Sequence, residues 1–191
     1  MISLLHTFAG GTTGRWRVER IQAITGQTLP WVPRLAILKD NQPAIGEGST
    51  WLLRGVTSYE RYVHRSEHWA LVAGQPELGR LEATQAAFIP ITKSAAWWEL
   101  AQDERRAIFE ERSHHIATGL KYLPRVARRL YHGHDLGEPF DFLTWFEYTP
   151  TDAEAFEELV GMLRETEEWT YVEREVDIRL ARSDGMRRKR L

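Results

Sequence analysis

Two groups of histidines are the side chains whose type and spacing could carry chemistry. The pair His114-His115 lies near the end of a helix-forming segment, and His132, His134 and Asp135 lie together in a turn. A histidine buried at a helix end can be a hydrogen-bonded core residue, a charge partner of the helix dipole or a metal ligand. Alternate side chains of an extended segment point the same way, so His132 and His134 could chelate a metal, although exposed histidines are common in such turns. The residues alone leave these alternatives open.

The helical pattern distinguishes the two adjacent histidines. Helix-forming residues dominate from 95 to 119, which predicts one long helix. Residues seven apart lie within about 20° of each other around a helix, so His115 continues the apolar stripe of Ile108 and Ala101. His114 is rotated by about 100° toward the polar side. We therefore expect His115, and not His114, to face the interior.

The second half of the chain has the clearer secondary-structure pattern. It predicts, in order, a strand at 86–91, the long helix, an extended segment at 121–132, a strand at 140–148, a helix from 151 and a final alternating strand from 172. This order, β-α-β-β-α-β, is the ferredoxin-like pattern.

The first half is richer in turn residues. It predicts loops at 10–14 and 39–43, strands at 35–38 and 50–53, and a helix over 59–72. We interpret the chain as a reduced ferredoxin-like half over residues 1–80, a complete one over 81–182 and a solvated basic tail over 183–191. The predicted fold class is α+β, with the two units packed together as an α+β barrel.

Composition excludes several classes of protein. The 191 residues carry 25 Lys plus Arg and 27 Asp plus Glu, a net charge of −2, which argues against binding to nucleic acid or to an anionic membrane. The absence of cysteine excludes disulfides, cysteine nucleophiles, iron–sulfur clusters and thiolate-bound haem. No signal peptide or long apolar span is recognisable, so we expect a cytoplasmic protein. Eight tryptophans provide aromatic surface that could line a flat cofactor.

Common catalytic motifs are missing from the sequence. There is no G-x-G-x-x-G after a strand, no P-loop, no G-x-S-x-G and no H-E-x-x-H. We interpret acidic pairs such as Glu110-Glu111 and Glu167-Glu168 as solvated helix faces rather than catalytic dyads. Taken without further information, Arg128 is interpreted as a surface strand arginine and Glu168 as an exposed acid at a helix end.

Three stretches of the second half resemble the chlorite dismutase family. They are residues 115–132, 140–147 and 163–180. The likeness is strong from about 93 to 182 and looser over 1–80, and the chain length is similar to that of the short, dimeric lineage. Members of this family are haem b proteins made of paired ferredoxin-like units. The resemblance therefore implies haem (heme) b with its iron as the cofactor, and a homodimer.

The resemblance also implies roles for individual residues. His115 corresponds to the proximal iron ligand, Glu168 to the acid that accepts a hydrogen bond from its imidazole, and Arg128 to the distal arginine. Gly119 and Pro124 lie between His115 and Arg128 and let the chain leave the helix and return as a strand. The two side chains could then approach opposite faces of one macrocycle.

Further correspondences concern the edge of the macrocycle. Lys93, Trp97 and Trp98 are similar to residues around the haem propionates and proximal edge, Tyr62 resembles a propionate-side tyrosine and Gln75 a distal glutamine. Tyr59 stands where relatives carry asparagine.

The implied reaction is the decomposition of chlorite to chloride and dioxygen. In it, Arg128 would hold the anion with its fork of donors and retain the hypochlorite-level fragment until the O–O bond forms. Alternatives within the superfamily are a peroxidase or a coproporphyrin decarboxylase. Alternatives outside it are a haem-binding module without turnover and a cofactor-free α+β barrel protein.

Overall fold

Eight strands pair antiparallel and close into one barrel. They are β1 (Leu5–Gly11), β2 (Trp16–Thr25), β3 (Arg34–Lys39), β4 (Ser49–Val56), β5 (Gln85–Lys93), β6 (Ala127–His132), β7 (Phe142–Tyr148) and β8 (Val172–Arg182). Their order around the barrel is β1-β3-β2-β8-β5-β7-β6-β4. Each half of the chain thus contributes four neighbouring strands, and the halves meet where β2 pairs with β8 and β4 with β6.

The computed structural model describes residues 4–39, 48–57 and 60–183. The predictions for Tyr59, for the loop beyond Lys39 and for the basic tail from Asp184 onward fall outside the described residues. The helices are α1 (Arg65–Gly74), α2 (Ala95–Glu99), α3 (Gln102–Arg106), a π-helical turn (Ala107–Arg112), α4 (His115–Lys121) and α5 (Ala153–Arg164), with short 3-10 turns at 134–136, 150–152 and 167–171. No helix of the described ranges is long and apolar enough to cross a membrane.

One hydrophobic core fills the inside of the barrel. Strand side chains alternate between the two faces of the sheet, so every second residue points inward. Phe8 of β1 stacks on Phe88 of β5 with ring centroids 4.3 Å apart, and Trp145 of β7 lies 6.2 Å from each of them. All three side chains are fully buried. This core holds the barrel rigid behind the face that carries the candidate site.

A second core lies between the outer face of the sheet and helix α5. The apolar residues of α5 recur at helical spacing, as the sequence predicts, and Phe156, Leu159, Val160 and Leu163 are all buried. Phe156 packs edge-to-face on Phe146 of β7 at 5.2 Å. Burying side chains of this size stabilises the fold by about 1.5–3 kcal/mol each. Strand β7 is therefore covered on both of its faces.

The prediction of one long helix over 95–119 is wrong. The segment breaks at Leu100 and Ala101, whose backbone is extended, and again at Ser113 and His114. His114 has φ 51°, in the left-handed region that ends helices. Neither break contains glycine or proline, so local propensity did not reveal them. The final helix α4 also runs past Gly119 to Lys121.

The first half contains more strand than the sequence predicted. The predicted loop at 10–14 begins inside β1, because Gly10 and Gly11 still pair with β4. Glycine is required at Gly10, since an added Cβ would lie 2.2 Å from the Trp51 ring. Strand β2 was missed altogether, because register shifts at Val18/Arg20 and Ala23/Thr25 interrupt the alternation of apolar and polar residues. The helix predicted over 59–72 begins only at Arg65.

Replacing a glycine by alanine should have opposite effects on stability in strand β4 and in helix α5. A Cβ on Gly55 of β4 would lie 2.7 Å from the Cβ of Tyr131, so we expect Gly55→Ala to destabilise the protein by about 1–3 kcal/mol through overpacking. Gly161 of α5 has nothing within 4 Å of such a Cβ, so Gly161→Ala should stabilise it by about 0.5–1 kcal/mol. Thermal unfolding followed by circular dichroism measures both. A shift of Tm in the same direction for the two variants would contradict the described packing around Gly55 and Gly161.

Candidate functional site

A cavity of about 470 Å³ lies between the outer face of the sheet and the helices. Its size is within the range of small-molecule sites, about 300–1,000 Å³. Ile89 of β5 and Phe142 and Phe146 of β7 line it on the sheet side, and α1, α4 and α5 contribute to the other walls. The lining is mostly apolar, so the polar groups that face the cavity are the candidates for binding a ligand.

A chain of three side chains lies at one side of the cavity. The Nδ1 atom of His115 is 2.6 Å from Oε2 of Glu168, and Nζ of Lys93 is 2.8 Å from the other carboxylate oxygen. Lys93 also donates to the Glu168 carbonyl at 3.3 Å. An ionised carboxylate only accepts hydrogen bonds, so Nδ1 of His115 carries the proton. Whenever the ring is neutral, its Nε2 atom carries the lone pair and can bind a metal.

The charge of Glu168 is set by these same neighbours. Glu168 is 3% exposed, and burial by itself raises the pKa of a carboxyl. His115 and Lys93 overcome that effect through charge and hydrogen bonding, and hold the pKa of Glu168 at about 2. Glu168 is therefore ionised at neutral pH. It can accept the imidazole hydrogen bond throughout the physiological range.

The helix break at Ser113-His114 places His115 at this position. After the break, the carboxylate of Glu110 caps the new helix by accepting hydrogen bonds from the backbone N–H of Ile116 at 2.5 Å and of Ala117 at 3.1 Å. The structure points His115 at the cavity and leaves His114 exposed. The expected orientation is therefore found, but it results from a restarted helix and not from a continuous stripe.

Aromatic rings surround the imidazole. Phe109 stacks on His115 with centroids 4.3 Å apart, and Tyr62 contacts both Phe109 at 5.7 Å and Trp97 at 6.1 Å. Tyr62 has φ 62°, an unusual backbone angle for a tyrosine, which costs about 1–3 kcal/mol and is found mostly at functional sites. Arg106 holds this conformation by donating to the Tyr62 carbonyl.

Arg128 faces the same cavity from strand β6. Its guanidinium rests against α4 where Gly119 leaves room, since an added Cβ there would lie 2.0 Å from a guanidinium nitrogen. Gly119 follows His115 by one helical turn, about 6 Å along the axis. Among residues 4–39, 48–57 and 60–183, no carboxylate forms an ion pair with Arg128. Burial lowers the pKa of Arg128 to about 10, so it keeps its positive charge at neutral pH.

Gln75 lies at the cavity wall, whereas Trp98 lies outside the cavity. Gln75 lines the cavity, and its amide donates to the backbone carbonyl of Arg128 at 2.8 Å. Trp98 does not line the cavity; its ring stacks on His134 at 3.6 Å and its indole N–H donates to Asp141 at 3.3 Å. Seven of the eight residues to which the resemblance gives a role thus line one cavity, and Trp98 lies outside it.

The two histidines of the turn do not converge on a metal site. His134 bonds to Asp141 at 2.6 Å, whereas the nearby His132 is buried against Phe142. The described part of the chain contains no group of three or more His, Cys, Asp or Glu able to hold a metal ion.

Sequence reasoning missed several residues of the site. The solvated interpretation of the acidic pairs is wrong for one member of each, because Glu110 and Glu168 are buried while Glu111 and Glu167 are exposed. Phe109 carried no signal beyond helix propensity. His132 did attract attention, but as a possible chelator and not as a lining residue of the cavity.

Comparison with known proteins identifies relatives of this architecture. The family model described as Chlorite dismutase matches residues 49–183. A chlorite dismutase from Ideonella dechloratans is 32% identical over 123 residues, which cover 62% of this chain and 40% of that protein. The chain therefore spans less than half the length of that curated relative.

Solved structures extend the likeness to almost the whole chain. A dimeric chlorite dismutase from Nitrobacter winogradskyi is 60% identical, with a TM-score of 0.86 over 93% of this chain and 99% of the other. A chlorite dismutase from Candidatus Nitrospira defluvii in complex with imidazole has a TM-score of 0.68 at 22% identity, over 95% and 92% of the two chains. The second likeness concerns the fold alone.

The buried carboxylate predicts a large stability difference between two adjacent glutamates. Glu168→Gln leaves the Lys93 ammonium buried without its counter-charge, so we expect a loss of about 3 kcal/mol or more and a Tm lower by roughly 6 °C or more. Glu167→Gln is the matched control, because Glu167 and its partner Arg112 are both exposed, and its Tm should change little. Thermal unfolding at pH 7 measures both. Equal Tm values for the two variants would contradict the role of the Lys93–Glu168 pair.

Proposed function

The chain belongs to the chlorite dismutase family, and on that premise we propose that it is a haem b enzyme that decomposes chlorite to chloride and dioxygen. The supporting observation is that a free imidazole nitrogen of His115 and the guanidinium of Arg128 face one apolar cavity. In the reaction, ClO₂⁻ gives Cl⁻ and O₂, so chlorine is reduced while its own two oxygens are oxidised. Atoms, charge and electrons balance without any further reactant.

The residues of the cavity fit a haem. A tetrapyrrole brings four nitrogen ligands to its iron and needs one or two more, which suits the single imidazole of His115. Flat aromatic side chains such as Phe109 and Trp97 line the space. The indole Nε1 of Trp97 and the Nδ1 of His132 are buried without a hydrogen-bond partner, and polar substituents of a macrocycle would supply one.

His115, Glu168 and Lys93 would form the proximal side of the site. Nε2 of His115 would bind the iron, while Glu168 accepts the Nδ1 proton, fixes the ring orientation and raises the basicity of the ligand. Lys93 keeps the carboxylate in place through its second oxygen. The haem, when bound, supplies the redox chemistry of oxygen transfer to and from chlorite.

Arg128 would bind the substrate anion. Its guanidinium is protonated at neutral pH and presents several N–H donors in one plane, which matches the oxygens of a small oxyanion. No described carboxylate neutralises it, and the apolar surroundings strengthen its attraction for an anion. The same donors can retain the chlorine oxyanion fragment until the product is complete, because departure would leave the buried charge unpaired.

We propose further that the chain consists of two ferredoxin-like units and forms a homodimer. The second half supports this with its strand order β8-β5-β7-β6 and its intervening helices, whereas within the described residues of the first half α1 is the one helix beside four strands. The dimer is proposed from the 60% identical relative, which is described as dimeric.

Oxygen evolution tests the proposed reaction and the role of Arg128 together. Haem-loaded protein should release one O₂ for each chlorite added to an oxygen electrode, unlike a peroxidase, a porphyrin decarboxylase or a haem-binding module. Arg128→Ala should lower the initial rate by roughly tenfold or more, the equivalent of one charge-assisted hydrogen bond of about 1.5–3 kcal/mol, and shorten the active lifetime. Arg125→Ala, an exposed arginine outside the cavity, is the control. Unchanged oxygen yield and lifetime in Arg128→Ala would refute the assignment.

Gly119→Ala provides a second test that keeps the arginine. The added Cβ would displace the flexible end of Arg128 rather than the backbone, so we expect the chlorite rate to fall toward that of Arg128→Ala. The Tm should stay the same or rise, since alanine favours a helix by about 0.5–1 kcal/mol over glycine. Gly161→Ala, with the same change in open space, should keep full activity. In the double variant with Arg128→Ala, a further loss from Gly119→Ala would show that the two do not act through one contact.

A further inference from the structure

His132 is a buried histidine of the cavity wall that the reaction above does not use. The residue is 3% exposed, and its Nδ1 has no hydrogen-bond partner among the described residues. Its backbone pairs with Val56 of β4 on one side and with Phe142 of β7 on the other, and its ring packs edge-to-face on Phe142 at 5.5 Å. An unsatisfied buried nitrogen destabilises the folded protein, so a hydrogen-bond partner from a ligand would be favourable.

The ligand group that hydrogen-bonds to His132 differs from the anion that Arg128 would bind. Arg128 and His132 lie on the same face of β6, four residues apart, which corresponds to about 13 Å along the strand. A small oxyanion cannot span this distance. The group that reaches His132 must therefore belong to the far edge of a larger ligand in the same cavity.

The surroundings of His132 favour an anionic group. Arg61 lines the cavity nearby and is close enough to act on the charge of His132. Its ion-pair partner Asp135, at 3.0 Å, is 70% exposed at the side chain and so compensates the arginine only weakly. Burial, with the charge of Arg61, lowers the pKa of His132 to about 4, so the ring is neutral at pH 7 and offers one N–H donor. A donor beside a cation suits a carboxylate.

We propose that His132, assisted by Arg61, binds a carboxylate side chain at the rim of the tetrapyrrole. This inference rests on the proposed function, because it requires the haem to occupy the cavity. It assigns to this chain a contact that holds the cofactor without touching its iron.

Haem retention measures this contact independently of turnover. Wild-type and variant proteins are loaded either with haem or with haem dimethyl ester, in which both carboxylates are esterified, and transfer to an excess of a haem-scavenging globin is followed by absorbance. We expect His132→Phe to release haem about tenfold faster or more, and to release the ester at the wild-type rate. His132→Gln, which keeps an N–H donor, should retain haem nearly as well as the wild type.

Two further variants control the measurement. His134→Phe changes a histidine of the same turn outside the cavity and should release haem at the wild-type rate. His115→Ala should release haem and ester equally fast, because it loses the iron ligand and not a carboxylate contact. If the phenylalanine ring does not fit, the smaller His132→Leu gives the same comparison.

The outcomes separate this inference from the proposed function. Tight haem binding by the wild type with equal release from His132→Phe would overturn the role of His132 alone. Faster release of haem and ester alike would also overturn it, since no carboxylate would then be involved. A wild-type protein that takes up neither compound and evolves no oxygen would overturn both.

Discussion

The candidate site depends on one buried carboxylate. Glu168 uses one oxygen to accept from His115 and the other to accept from Lys93, at 2.6 and 2.8 Å. Burying an ionised acid is costly unless both oxygens are satisfied in this way. The three residues come from a 3-10 turn, the start of α4 and the end of β5. The carboxylate therefore ties three separate segments together and leaves His115 a single orientation.

The irregular backbone of the protein is concentrated around this carboxylate and the cavity. His114 and Tyr62 are the non-glycine residues with positive φ among those described, and both lie next to the site. Phe109, in the π-helical turn Ala107–Arg112, contacts both the Tyr62 ring and the His115 imidazole. Such conformations persist only where regular structure compensates for their cost. Here the filled barrel behind the sheet provides that compensation.

Charge differs between the two ends of the site. Glu168 balances Lys93 near His115, so this end of the cavity has little excess charge. The Arg128 guanidinium has no described acidic partner and remains protonated in apolar surroundings. An anion that enters the cavity is consequently drawn toward Arg128. This asymmetry is the physical basis for the proposed oxyanion substrate, whereas the proposed contact to the rim of the cofactor lies at His132.

The local pattern of the sequence was enough for the elements whose burial follows a simple period. Helix α5 and strand β8 were predicted because their apolar residues recur at the period of a helix or a strand, and β5 and β7 because each is a short apolar run. The spaced features around His115, Arg128 and Glu168 also made the family recognisable. Only the tertiary structure decided which glutamate of each acidic pair is buried, where the helix before His115 breaks, and which cavity atoms lack partners. Those features depend on contacts between segments far apart in the chain, and no local pattern of residues records such contacts.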